Sequence, residues 1–345
     1  MEPIAGATTP VEFAAVDQPV ISADAIAEAE RFAKANNSTA LVVLYDGKLA
    51  HEVYWDGYSR DTEFSSHSMV KTLTGLAVAT AQADGFIDSF DDPVSKYLPE
   101  AAGRPFADRT IRQLLHMASG VETVPLSRDP GSKIVQLSYG SDILSTALSF
   151  DMAAAPDTNF NHDNSHSILL GAIVSAATGQ RYADYVSARI WNPIGARTAK
   201  LFLDRPGDTP HTDCCMASHP MDWIKVGEFL RNKGRVGGEQ VVPETAIEAM
   251  LEPSPGNPNY GFQIWLGTPY TENRSYRGDL RGSYHSEPYL ADDLFFLDGF
   301  GGKRVYVIPS RKLVIMRLGT SSDTWDDAVL PNTIMRGLIA DSGSN

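Results

Sequence analysis

The sequence predicts an α+β fold: one antiparallel sheet built from both ends of the chain, flanked by helices, with a mostly helical domain inserted. Three observations carry this. A hairpin pattern stands near the start, strand patterns fill the last third, and helical periodicity dominates between them. The late strands have short connections, which favours antiparallel pairing. The expected division is 1–67 with 253–345 for the sheet domain and 68–252 for the helical one. A chain of 345 residues that is 43% hydrophobic can bury a core of that size.

The elements follow in order. Residues 1–21 look irregular. Ser22 to Asn36 reads as an amphipathic helix with Ile26, Ala29 and Phe32 on one side. Ala40 to Trp55 reads as a β-hairpin around Asp46-Gly47, a strong turn signal. Phe64 to Gly85 opens an apolar helix. Asp92-Pro93 starts another, with Pro at the first helical position. Thr110 to Gln113 has the form of a capping box, leading to Leu114-Leu115 and a stop at Gly120. Tyr182 to Trp191 and Met221 to Asn232 are further helices, and Pro243-Glu244 begins one more. Tyr260 to Gly267, Asp293 to Leu297, Lys303 to Ile308 and Lys312 to Leu318 are rich in β-branched and aromatic residues and read as strands. Pro309-Ser310-Arg311 turns between the last two, and Asp323 to Ala340 reads as a closing helix.

Charge and composition exclude several classes. With 29 Lys and Arg against 43 Asp and Glu the net charge is −14, and no basic run exceeds two residues, so nucleic acid is not an expected partner. Cys214 and Cys215 are the only cysteines and are adjacent, so they make no disulfide framework, and the compartment stays open. No apolar run is long enough for a membrane span. The first residues, MEPIAGATTP, lack the regions of a signal peptide, although a removed leader replaced by Met would look the same. Oligomeric state is not legible.

One motif carries chemistry. Ser68-Met69-Val70-Lys71 is an S-x-x-K at the mouth of the apolar helix, so the two side chains share a face about one turn apart. Ser68 falls in the first turn, where free N–H groups favour negative charge. A chain of this composition holds about one such pattern by chance, and the plain reading is an N-cap serine with a solvated lysine. The helix argues otherwise. Met69, Val70, Leu73, Leu76, Val78 and Ala81 make it apolar nearly all round, so it is buried. A buried Lys71 must be paired or neutral, and a neutral lysine can take the serine proton.

Several segments in order resemble the serine β-lactamase and penicillin-binding-protein superfamily. They are SHSMVKTLTGLAV at Ser66, DDPVSKYLPE at Asp91, TIRQLLHMASGV at Thr110, SILLGAIVSAATG at Ser167, ARIWNPIGA at Ala188 and GFGGKRVYVIPSRKLVIMRLG at Gly299. The nearest branch holds class C β-lactamases, family VIII carboxylesterases and aminohexanoate-oligomer hydrolases. The resemblance implies a β-lactamase/DD-peptidase-like sheet with an all-helical domain beside it and an active site in the groove between. It implies an acyl-enzyme on Ser68 and transfer of the acyl group to water or another nucleophile. No metal or organic cofactor is implied.

The chain departs from that pattern twice. Where the second motif carries Y-x-N or Y-x-S, it reads His162-Asp163-Asn164. An imidazole can move protons near neutrality, so His162 is the candidate for the tyrosine's work and Asn164 for the polar contact; the plain alternative is a histidine that only packs. Tyr139, in SYGSD, is a possible substitute from a loop. His162 and His166 form H-x-x-x-H, but there is no H-E-x-x-H, so no metal site is expected. His67 reads as a rim residue. The third motif, K-T-G or H-x-G, aligns with Phe300-Gly301-Gly302, without a charged first position. That argues against β-lactam carboxylates and toward an uncharged substrate. The glycines are expected to let an edge strand approach the substrate, a plain turn being the alternative. The Lys303 N–H is expected to pair with that of Ser68 as the oxyanion hole.

The leading expectation is therefore a serine hydrolase acting on small-molecule esters or amides. The alternatives are an acyltransferase or D-amino-acid peptidase on the same scaffold, and a non-catalytic binding or sensor protein that has lost the tyrosine. Substrate identity rests on residues 122–142 and 274–293, which no pattern folds.

Overall fold

The computed structural model describes residues 1–277 and 280–339. Its centre is a six-stranded antiparallel sheet. In chain order the strands are β1 (Ser38–Tyr45), β2 (Lys48–Tyr54), β3 (Trp265–Leu266), β4 (Phe295–Gly299), β5 (Lys303–Ile308) and β6 (Leu313–Gly319). They lie side by side as β2-β1-β6-β5-β4-β3. The first pair comes from the start of the chain and the other four from its last third, as the sequence predicts. A second, four-stranded sheet joins the first residues to the middle of the chain, through Glu2–Ile4 and Ala199–Leu201, where no strand was legible.

Alternation divides the core. Leu41, Val43, Tyr306, Ile308, Leu313 and Ile315 face one side, where helices α1 (Ala23–Ala35) and α5 (Val329–Arg336) pack. Val42, Leu44, Val305, Val307, Val314 and Met316 face the other, which continues into the helices α2 (Val70–Ala83), α3 (Asn164–Thr178) and α4 (Pro220–Arg231). Helix α4 lies on the sheet itself. A Cβ at its Gly227 would stand 2.6 Å from Val305 and 2.7 Å from Val314. The expected helical domain over 68–252 thus contains one helix of the sheet's own packing layer.

Three expected elements differ, each for a traceable reason. From Tyr260 to Gly267 only Trp265–Leu266 is strand. The residues before it turn into the helical part: the Phe262 N–H donates to Met250 and the Gln263 N–H to Leu115. The closing helix is confined to Val329–Arg336. Asp326 receives the Ala328 and Ser286 N–H groups, and Asp327 pairs with Arg304, which holds the stretch before the helix irregular. Ala340, the expected end of that helix, lies outside the described residues. Pro93 caps the short helix Val94–Tyr97 rather than opening it. The Thr110–Gln113 capping box is present in both directions. Among the described residues no helix is long and apolar enough to cross a membrane.

Candidate active site

Ser68 sits in a single tight turn, His67–Met69, that runs directly into α2. Helix α2 is buried from Val70 to Ala81, as its all-round apolar sequence predicts. The end of β4 lies against the turn. A Cβ at Gly299 would stand 2.6 Å from the Ser66 carbonyl oxygen and 3.1 Å from Met69, so no larger residue fits there without moving the Ser68 turn.

Lys71 is 1% exposed. Its Nζ donates to Asn164 Oδ1 at 2.7 Å and to the Asp213 carbonyl at 2.5 Å, and lies 3.4 Å from Ser68 Oγ. Burial holds its pKa below the usual lysine value, against the opposing pull of Asp213, Asp163 and Asp298. A neutral amine has two N–H donors and one lone pair. As an ammonium, Lys71 donates to Asn164, to the Asp213 carbonyl and to Ser68 Oγ; once it loses one proton, the two carbonyl oxygens can keep the remaining donors and the lone pair faces the Ser68 hydroxyl. Asn164, the first residue of α3, acts through this contact, and Asp163 caps the helix by accepting from the Ser165 N–H at 2.9 Å.

His162 lies with Ser68 in a cleft of about 550 Å³. Its backbone N–H donates to the Tyr276 carbonyl, and Arg277 pairs with Asp163 at 3.2 Å, so the strand Asn273–Arg277 fixes the second motif. The imidazole stacks on Trp265 and meets Tyr260 and Tyr276 edge-on, at centroid separations of 5.5 to 5.9 Å. Burial, then the Lys71 charge, hold its pKa well below the ordinary histidine value, so the ring is neutral around pH 7. His166 is drawn away: its ring bonds Ser119 Oγ at 2.7 Å inside the helical part, so the two histidines form no ligand pair.

Below the cleft lies a network of buried charge. Asp298, next to Gly299, receives the Tyr276 hydroxyl and the Arg304 guanidinium. Arg304 and Arg274 share Asp327, each with a nitrogen 2.9 Å from it. Burial and Asp298 push the Tyr276 pKa up, so the phenol stays protonated. No pattern pointed to Tyr276, although it lines the cleft beside His162.

The third motif requires corrections. Gly301 and Gly302, with φ of +86° and +72°, form the turn between β4 and β5. The close approach belongs to Gly299 instead. Phe300 is 73% exposed at the rim, its ring 5.7 Å from that of His67. Lys303 does not suit the oxyanion hole. It opens β5, an interior strand that β4 separates from the Ser68 turn. Its buried Nζ donates to the carbonyls of Phe300 and Gly319, and burial lowers its pKa to about 8. It braces the turn that the glycines make.

Tyr139 is 86% exposed and lines a second cleft, with His67, Asn164, His211 and the cysteines. It lines a different cleft from the one that holds His162. Cys214 and Cys215 are bonded to each other, which cross-links no distant segments.

Known proteins resemble this chain in sequence and in fold. A 6-aminohexanoate-dimer hydrolase of Paenarthrobacter ureafaciens is 26% identical over 250 residues, covering 68% of this chain and 63% of that protein. The match thus spans just under two thirds of that relative. A solved structure from Bacillus anthracis, provisionally named a 6-aminohexanoate-dimer hydrolase, has a TM-score of 0.77 at 21% identity and covers 97% of this chain and 89% of that one. A family VIII carboxylesterase has a TM-score of 0.67 at 17% identity, over 92% and 99%. At those identities the two structures speak for the fold. A family model described as Beta-lactamase matches residues 23–337, almost the whole described chain, and the chain belongs to that family.

Proposed function

We propose that the protein is a serine hydrolase that forms an acyl-enzyme on Ser68 and cleaves small-molecule esters or amides. The observation that carries the reading is the Lys71 contact set. Two carbonyls engage its donors, burial favours the neutral amine, and Ser68 Oγ lies 3.4 Å away. Ser68 Oγ attacks the substrate carbonyl carbon as its proton passes to Lys71. The oxyanion is held by the Ser68 N–H and a backbone N–H of the Gly299–Gly301 edge, each such donor being worth about 3 kcal/mol of barrier. The tetrahedral intermediate collapses, and the leaving alcohol or amine takes the proton from Lys71. A water then attacks the ester on Ser68. Neutral His162, in the same cleft, accepts a proton from it and returns it to Ser68 Oγ as the second tetrahedral intermediate collapses and the carboxylic acid leaves.

Substrate choice follows from the rim. Phe300 presents an apolar ring where a charged side chain would hold an anionic group. Small uncharged esters and amides suit that surface, and β-lactam carboxylates do not. The test is turnover of p-nitrophenyl esters of graded acyl length, beside the matching anilides. Native chain should turn over at least one series, with Ser68→Ala inactive. Equal turnover by native chain and Ser68→Ala would remove the assignment.

A further inference from the structure

Cys214, Cys215 and His67 have no part in the chemistry above. One ligand atom from each lies within 4.8 Å of the others. All three are partly exposed and line the second cleft, of about 630 Å³, so a solute entering it meets the whole cluster. The backbone builds this meeting. The Cys215 N–H donates to the His67 carbonyl at 3.2 Å, and both residues hold left-handed φ values, +73° and +47°. Such values are uncommon without glycine and persist where surrounding contacts fix them. The cluster adjoins the nucleophile: His67 precedes Ser68, and Asp213, before the cysteines, gives its carbonyl to Lys71.

We propose that the reduced Cys214–Cys215 pair and His67 form a binding site for a thiophilic divalent ion such as zinc or cadmium. A dithiol reductant opens the site. The Cys214–Cys215 bond breaks, the reductant closes its own disulfide, and two electrons and two protons pass to the cysteines. The ion then displaces one proton from each thiol and takes two thiolates and one imidazole nitrogen. Thiolate and imidazole donors suit zinc and cadmium and not magnesium or calcium. Three protein donors leave a fourth position open to the cleft. The oxidised pair offers no thiolate, so the redox state decides whether the site exists.

The probe is cadmium, added to the full chain after dithiol reduction and removal of the reductant, with two free thiols verified by titration. The reduced chain should bind one equivalent and develop thiolate-to-cadmium absorption in the ultraviolet. The oxidised chain and the double variant Cys214→Ser, Cys215→Ser should develop none. His67→Ala should bind about tenfold more weakly or worse. No band in the reduced chain, or an undiminished band in the double variant, overturns the site. Unchanged affinity in His67→Ala overturns the third donor, and cysteines that resist the dithiol overturn the redox opening. Cadmium should also slow fluorophosphonate labelling of the reduced chain at one equivalent, and unaltered labelling overturns the link to the nucleophile. That last readout rests on the Ser68 assignment; the absorption band does not.

Discussion

Replacing Asn164 by Asp keeps the shape of the lysine's surroundings and adds one charge. Asn164 Oδ1 stands 2.7 Å from Lys71 Nζ, which is buried. With charge centres about 4 Å apart, a carboxylate there attracts the ammonium by about 4 kcal/mol at an effective dielectric near 20. The hydrogen bond to the neutral amide that it replaces is worth about 1 kcal/mol. The difference, about 3 kcal/mol, favours protonated Lys71 and corresponds to about two pH units. A base that holds its proton more tightly becomes free only at higher pH. The acidic limb of the acylation profile therefore moves up by about two pH units, and turnover near pH 7 falls about a hundredfold. The assay is p-nitrophenyl ester turnover in native and Asn164→Asp chains from about pH 5 to about pH 10. The two curves should converge at the alkaline end. An unmoved limb would mean that Lys71 is not the base that titrates. A uniform loss at every pH would mean that Asn164 serves geometry and not proton affinity.

Three further outcomes follow from the same geometry. His162→Ala should lower turnover by about a hundredfold or more, chiefly in release of the acyl group, so acyl-Ser68 should accumulate; full activity in this variant would remove the imidazole from the reaction. Gly299→Ala places a Cβ 2.6 Å from the Ser66 carbonyl oxygen and must displace the Ser68 turn. A loss of about a hundredfold in turnover with a lowered thermal midpoint is expected, and unchanged turnover would show that the β4 edge does not position Ser68. His116 and His166 are buried with pKa values lowered to about 4 by desolvation. The unfolded chain binds their protons first, so stability should fall as pH drops from about 6.5 toward 4, by up to about 3 kcal/mol for each. Urea midpoints at neutral and acidic pH measure this, and equal midpoints would contradict the burial of neutral rings.

The contact between Ser68 and a buried Lys71 was legible because two independent signals meet there. S-x-x-K gives the spacing, and the apolar run from Met69 to Ala81 makes Lys71 a buried amine. His162 and Asn164 were legible only through the order of segments, since nothing local marks them. The oxyanion donor was not legible at Lys303. Which N–H faces a nucleophile depends on sheet order, and β5 lies one strand too far in. The Asp213 carbonyl was also hidden, because a main-chain acceptor has no residue signature. Tyr276 belongs to a stretch whose position comes from Asp298, Arg304 and Arg274, all distant in sequence or buried together. Pairwise charge networks of that kind leave no periodic trace. The shortened closing helix has the same cause, as Asp326 and Asp327 are committed to partners before it can start.

The most direct measurement is the mass of the intact chain quenched during ester turnover, followed by peptide mapping. The acyl group should be found on Ser68, forming rapidly in native chain and at least about a thousandfold more slowly in Lys71→Met, whose side chain fills similar space without a base. An acyl group mapped to another residue, or acylation of Ser68 at the native rate in Lys71→Met, would contradict the account.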